Sequence, residues 1–360
     1  MSETVLVTGA FGLVGPATVR RLASEGRRVV ATARGSRANR KAAQTLPAGV
    51  EARWADLSEP ADVSRLVADV SPAVIIHLAA VIPPAIYRNA AFARKVNVDG
   101  TAGLLRAAEA LPIPPRFVHA SSAGVYGEYN PYRFSGLVGT DTPPNPCDVY
   151  GGHKLEAEQL VQSSNLKWVI LRIGGVLSAD PRDIPFDRDT AFFATVLPTD
   201  CRVHTIDTRD VAAALAAATT ADVGGQTLLI GGDESHLLTQ DEVAHGPAHA
   251  RGLEGILVFN RPGDPDRDDN WYPNCWMDVA SSQKALSYQH HSWPEMMDEM
   301  RSIVGWKWGP TRLLRPVARR YVKHVSAYRD WPGVYADPWG VIRARLGEPG
   351  LDRPPRVTDR

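Results

Sequence analysis

The chain has too few cysteines for a disulfide framework. Cys147, Cys201 and Cys275 are the only ones in 360 residues, far apart, odd in number and without a CxxC pair, a usage that fits a reducing compartment and an expected cytoplasmic location. Net charge is lacking too: 40 basic residues balance 40 acidic ones, so no global field draws the chain to nucleic acid. Long apolar runs are absent. The most apolar internal stretch, Val70 to Ile86, is broken by Pro72, His77, Pro83 and Pro84 and cannot supply the roughly 20 apolar residues of a membrane span. No secretory signal is expected either, because Thr4-Val5-Leu6-Val7-Thr8 reads as a buried first strand with no basic segment before it. What is present, 44% hydrophobic and 22% charged residues, is the composition of a globular protein with a large core.

Short β-branched runs alternate with helical patterns through the first half, the signature of βαβ units in a parallel sheet covered on both faces. Strands are predicted near 4–8, 28–33, 73–77, 116–120 and 168–172. Val14, Val19 and Leu22 give the first helix an apolar face, and Gly26 ends it. Further helices are predicted near 59–69 and 98–110. Beyond about residue 174 the pattern loosens into polar, Pro-rich and Gly-rich stretches, read as a smaller substrate-side region over 174–300. Residues 301–360 form an extension with thirteen basic against five acidic residues. In it Leu314, Val317, Tyr321, Val325 and Tyr328 recur at helical spacing beside Arg315, Arg319, Arg320 and Lys323. Such a helix is expected to pack back on the domain or across a dimer rather than to lie on a membrane, and the last dozen residues, with Pro349, Pro354 and Pro355, are expected to fray.

Directly after the first strand comes Gly9-Ala10-Phe11-Gly12-Leu13-Val14-Gly15. A tight turn needs the first glycine, close approach to a pyrophosphate the second, and helix-on-sheet packing the third, while the helix start offers free N–H groups to phosphates. Strand before and helix after are the context that a dinucleotide site requires. The second strand ends in Arg34 with no carboxylate, and Arg37, Arg40 and Lys41 follow. A basic group at this place accepts a 2′-phosphate, so NADP is favoured and NAD remains an alternative.

Tyr150 and Lys154 stand four apart in a helical segment, hence on one face, so the ammonium can lower the phenol pKa towards working pH. Tyr150 can then exchange a proton with a substrate alcohol or carbonyl while hydride moves to or from a nicotinamide. Val118-His119-Ala120-Ser121-Ser122-Ala123-Gly124-Val125-Tyr126-Gly127 leaves a strand with a serine ahead of Val-Tyr-Gly. Together with Asp56-Leu57, His77-Leu78-Ala79-Ala80 and Asn97-Val98-Asp99-Gly100-Thr101, these segments resemble the extended short-chain dehydrogenase/reductase family, over roughly residues 3–300.

The resemblance implies an α/β fold: a Rossmann-type, doubly wound parallel sheet over 1–173 with a smaller C-terminal substrate-binding lobe, and a homodimer through helices flanking Tyr150. It selects Ser122 rather than Ser121 as the hydroxyl partner of Tyr150 and Lys154, and adds Asn97 to their hydrogen-bond network. It places Phe11, Leu13 and Val14 of the glycine loop, with Asp56, Leu57, Leu78, Ala79 and Ala80, at the cofactor.

Departures from the family narrow the reaction. Dehydratases of this kind resemble one another in carrying Asp-Glu after the hydroxyl residue, where this chain has Ala123-Gly124. Sugar-nucleotide epimerases usually carry an Asn shortly after the Leu-Arg strand end, to meet the diphosphate; here the stretch is Leu171-Arg172-Ile173-Gly174-Gly175. The expected activity is interconversion of an alcohol and a carbonyl by an NAD(P)-dependent alcohol dehydrogenase or carbonyl reductase acting on a small-molecule substrate. The alternatives are an epimerase with tightly held NAD and a non-catalytic dinucleotide sensor. Ile184, Phe186, Phe192, Phe193 and Val196 are expected to fill the lobe core or wall its pocket. His77 is expected to be structural, His153 exposed and Cys147 unreactive, and no metal site is expected.

Overall fold

The computed structural model describes residues 3–183, 187–257 and 260–353. Ile184, Phe186, Pro354 and Pro355 therefore lie outside the described residues. Among the described residues the strands are β1 (Thr4–Thr8), β2 (Arg28–Ala33), β3 (Glu51–Trp54), β4 (Val74–His77), β5 (Arg116–Ser122), β6 (Trp168–Ile173), β7 (Gly175–Leu177), β8 (Arg202–Asp207), β9 (Gln226–Ile230) and β10 (Leu237–Thr239). Seven of them form one parallel sheet in the order β3-β2-β1-β4-β5-β6-β9. This is the doubly wound Rossmann-type arrangement.

Alternate side chains of each strand feed opposite faces of the sheet. Val5, Val7, Val29 and Ala31 pack with Val19 and Leu22 of helix Gly15–Ser24 and with Leu215 of helix Thr208–Ala218. Leu6, Val30, Ile75 and Phe117 pack on the other face with Leu66 of helix Pro60–Val70 and Leu104 of helix Gly100–Glu109. Because both faces are covered, the central strands read as continuous apolar runs, which is why the sequence exposes them. Strand β3 is not among the expected strands: at the sheet edge, Glu-Ala-Arg-Trp buries no side chain fully. The chain reverses its winding between β1 and β4, and the crevice at the carboxyl ends of those strands is where such sheets bind ligands.

The segment after residue 173 is interwoven with the sheet. It returns as β9 beside β6, and its helix Thr208–Ala218 shares a core with the first helix. The rest of the lobe is built on a three-stranded sheet in the order β10-β8-β7. Phe192 and Val196 are buried in the lobe core and Phe193 packs edge-on to Tyr272.

The extension departs from expectation at both ends. Helix Arg315–Val325 buries Val322 and Val325, and Tyr328 is buried beyond it, but Leu314 and Val317 stay exposed, because the buried stripe of this helix runs on a different face. The chain from Ser326 to Asp352 then straps the lobe. Arg261 donates to the carbonyls of Tyr328, Trp331, Pro332 and Tyr335. Helix Pro338–Arg345 buries Val341 and Ile342 against Ile86, Tyr87 and Trp271. Pro349, expected to fray, instead accepts a hydrogen bond from the Val149 N–H at 2.8 Å.

Candidate functional site

The glycine loop lines a cleft of about 330 Å³ together with Phe11, Asp56, Leu57, Leu78, Ala79 and Ala80. Its three glycines meet different demands. A Cβ on Gly9, which adopts φ +66°, would stand 2.7 Å from the Ala79 backbone N, and one on Gly15 2.4 Å from the Ala10 backbone. Gly12 is crowded by nothing closer than the Gly9 carbonyl at 3.4 Å and lines the cleft, so packing inside the protein does not demand a glycine there. No side chain caps the helix that starts at Gly15 after Val14, leaving N–H groups for an anion. Leu13 is exposed and does not line the cleft. These features fit a dinucleotide. At the far end Phe11 stacks on Trp54, Arg40 lies over Trp54, and Arg34 lies over Phe92. Arg34 lines the cleft and no carboxylate stands at the end of β2.

Asn97, in a π-helical turn over Lys95–Asp99, is aimed at the cleft loop and not at Tyr150. Its amide oxygen accepts from the Val81 N–H at 2.7 Å and its nitrogen donates to the Val81 carbonyl at 2.9 Å. The Thr101 hydroxyl donates to the Asn97 carbonyl and bonds His77 Nε2, whose Nδ1 meets Thr8. Burial drives the His77 pKa down to about 3. It is a neutral structural pin between β1, β4 and the helix behind them.

Ser122 ends β5 and its Oγ accepts from the Gly124 N–H. Tyr150 sits in the first turn of helix Val149–Gln162, whose N-cap is Asp148: one carboxylate oxygen accepts from the Gly151 N–H and the other from the Tyr87 hydroxyl at 2.7 Å. Lys154, one turn on, is buried, lies 5.9 Å from the Tyr150 ring centre and donates to the Ala120 carbonyl at 2.7 Å. Gly124 passes under the Tyr150 ring: a Cβ there would be 3.4 Å from Ser122 Oγ and 3.7 Å from the tyrosine ring. Ser121 points away, to Glu158, which is also gripped by Arg172.

The electrostatics correct one expectation. Burial pushes Tyr150 up to about 12, a hydrogen bond with Ser122 pulling down and Asp148 pushing up. Burial lowers Lys154 to about 8, against the pull of Glu158. The ammonium spends its closest contact on Ala120, so the lysine alone does not bring the phenol to working pH. Cys147 is pushed up by burial, in line with its expected inertness.

Several residues beside Tyr150 escaped the sequence reading. Tyr87 bonds Tyr272 through the hydroxyls at 3.2 Å, Tyr272 stacks on Trp339, and Trp339 donates to Glu128. Burial pushes Glu128 up to about 7, with the Trp339 bond opposing. Asp148 was findable as a capping residue before the helix. Glu128, Tyr272 and Trp339 share no motif and meet only through the fold. His153, expected to be exposed, is fully buried and meets Asp352 at 2.9 Å. The strap covers the face that helix periodicity assigns to solvent.

The sequence model of the NAD-dependent epimerase/dehydratase family matches residues 5–198. The chain belongs to this family. It is 36% identical over 165 residues to a UDP-glucose 4-epimerase of Mycolicibacterium smegmatis, covering 42% of this chain and 48% of that one. It is 33% identical over 174 residues to methionine adenosyltransferase 2 subunit beta of Bos taurus, covering 48% and 46%. The chain thus spans about half the length of the curated relatives it matches. In structure it resembles Thermus thermophilus UDP-glucose 4-epimerase in complex with NAD, at a TM-score of 0.66 and 25% identity over 83% of this chain and 98% of that one. The expected preference for NADP finds no support in this neighbour, which holds NAD.

Proposed function

We propose that the protein moves a hydride between a carbinol carbon of a small-molecule substrate and a bound nicotinamide dinucleotide, with Tyr150 as proton donor and acceptor. The observation that carries this reading is the convergence of Ser122, Tyr150 and Lys154 at the carboxyl end of β5, in a sheet whose switch-point cleft is lined by Gly9 and Gly12. Ser122 holds the substrate oxygen and Tyr150 exchanges the proton. Lys154, fixed on Ala120, supplies positive charge beneath the phenol, and Asn97 positions the loop at Ala79 and Ala80. The oxidised dinucleotide, when bound, supplies the hydride acceptor and a further positive charge that favours the tyrosinate.

The likeness to UDP-glucose 4-epimerases supports epimerisation, in which the hydride returns to the same substrate and the cofactor stays bound. A specific observation favours net oxidation or reduction as the second reading. Gly174-Gly175 stands where sugar-nucleotide epimerases usually carry an Asn for the diphosphate, and a Cβ on Gly174 would strike the His204 carbonyl at 2.3 Å. Arg34 favours a 2′-phosphate in that case. A homodimer through helices flanking Tyr150 is part of either reading.

Unfolding freshly purified protein and identifying the released dinucleotide tests both. Stoichiometric NAD supports epimerisation, and exchangeable binding that prefers NADPH supports the reductase. Absence of any dinucleotide affinity overturns the proposal.

A further inference from the structure

The extension's stretch around residues 303–320 lies on the lobe surface, held there by Trp308 on the His249 carbonyl and Arg315 on the Gly252 carbonyl, and leaves one side open. Trp306, Leu313, Leu314 and Val317 leave 81%, 81%, 59% and 68% of their surface exposed. The Ala318 N–H donates to the Leu314 carbonyl at 2.9 Å, so the chain keeps a helical course from helix Trp308–Leu313 into helix Arg315–Val325. At 3.6 residues per turn, Leu313, Leu314 and Val317 then share one strip, and Arg315, Arg319 and Lys323 another, with Arg320 between them. The basic strip walls a groove of about 750 Å³ whose opposite wall carries Glu254. That carboxylate is paired with Arg315. Among the described residues no carboxylate pairs with Arg319 or Arg320.

Two partners fit an apolar strip: a second copy of the chain or an amphipathic surface. In a symmetric pair through this face each helix carries its own excess positive charge, because residues 301–329 hold eight basic residues and no acidic one, and the two would repel. Positive charge is thus concentrated along this stretch. An anionic bilayer attracts such a stretch, and it offers phosphates to the arginines and an acyl boundary to the leucines.

We propose that the apolar strip of Trp306, Leu313, Leu314 and Val317, flanked by Arg320 and backed by the basic strip that holds Arg319, docks the protein in the plane of a membrane bearing anionic lipids. It does so without crossing: no helix among the described residues is long and apolar enough to span. Trp306 sits at the headgroup level, where indole rings collect. This revises the sequence expectation that the basic helix has no membrane role.

The test is sedimentation of the full-length protein with vesicles of phosphatidylcholine alone and of phosphatidylcholine containing about 30% phosphatidylglycerol. Binding is expected only to the anionic vesicles, weakening in about 0.5 M salt. Arg319→Gln with Arg320→Gln lowers the partition about 25-fold, at about fivefold per cation. Leu313→Ser with Val317→Ser abolishes stable binding at unchanged net charge. All four positions are solvent-exposed, so unchanged circular dichroism and melting temperature confirm that the variants are folded. The proposal is overturned if anionic vesicles do not pull the protein down, or if Leu313→Ser with Val317→Ser binds as well as the parent. A dimer in analytical ultracentrifugation that this same pair of changes dissociates also overturns it, assigning the strip to a second copy.

Discussion

Trp339 donates its indole N–H to the Glu128 carboxylate at 2.5 Å while its ring lies on Tyr272, 30° from parallel. A residue of the C-terminal strap thus packs in the same hydrophobic cluster as Tyr150. Trp339→Ala removes stack and bond together, and the expected result is a KM raised about tenfold or more with dinucleotide affinity unchanged. Trp339→Phe keeps the ring and restores most of the loss. Steady-state kinetics beside a dinucleotide titration separates the two effects, and equal loss in both variants would show that the stack contributes nothing.

Glu128 also gives a pH signature. The folded chain holds its proton up to about pH 7, where the unfolded carboxyl has lost it from about 4.5. Between those values the folded state binds more protons, so stability is greatest at the acid end and declines as pH rises through the window. The partly open setting screens the effect to on the order of 1–2 kcal/mol. Glu128→Gln, which still accepts from Trp339, flattens the dependence. Melting temperature against pH for both proteins checks it, and parallel curves would count against the assignment.

Tyr150→Phe deletes the proton carrier and leaves the ring over Gly124. Turnover is expected to fall about 10²–10⁴-fold with dinucleotide binding retained. Unaltered biological activity of this variant would instead favour a dinucleotide sensor.

The glycines of the cofactor loop are expected to divide. Gly12→Ala disturbs nothing inside the protein, so melting temperature holds while dinucleotide affinity falls about tenfold or more. Gly15→Ala collides with Ala10 backbone and lowers stability outright. Thermal melts with and without NAD distinguish the pair.

The sheet and cofactor loop were legible because they are local. Val5, Leu6 and Val7 announce a strand buried on both faces, and the glycines announce the turn after it. Tyr150 and Lys154 were legible through helical spacing, and Ser122 through the Val-Tyr-Gly that follows. The phenol's environment was not, since it is set by Asp148, Ala120 and burial, none of which spacing encodes. Asn97 read as part of the reacting network because its segment matches the family, yet both amide bonds go to Val81. His153 failed for a related reason: helical periodicity reports which face one helix offers, and Asp352 arrives from a segment 199 residues away.

That last distance bears on how the protein is made. The Val149 N–H is held by the Pro349 carbonyl, and His153 by Asp352, on the same helix that carries Tyr150 and Lys154. A ribosome delivers residues in order, and the domain around the cofactor can condense while the strap is still unsynthesised. The helix that carries Tyr150 and Lys154 therefore acquires its final surroundings only after residue 352 has emerged. A nascent chain stalled short of that point is expected to bind dinucleotide before it can turn over substrate.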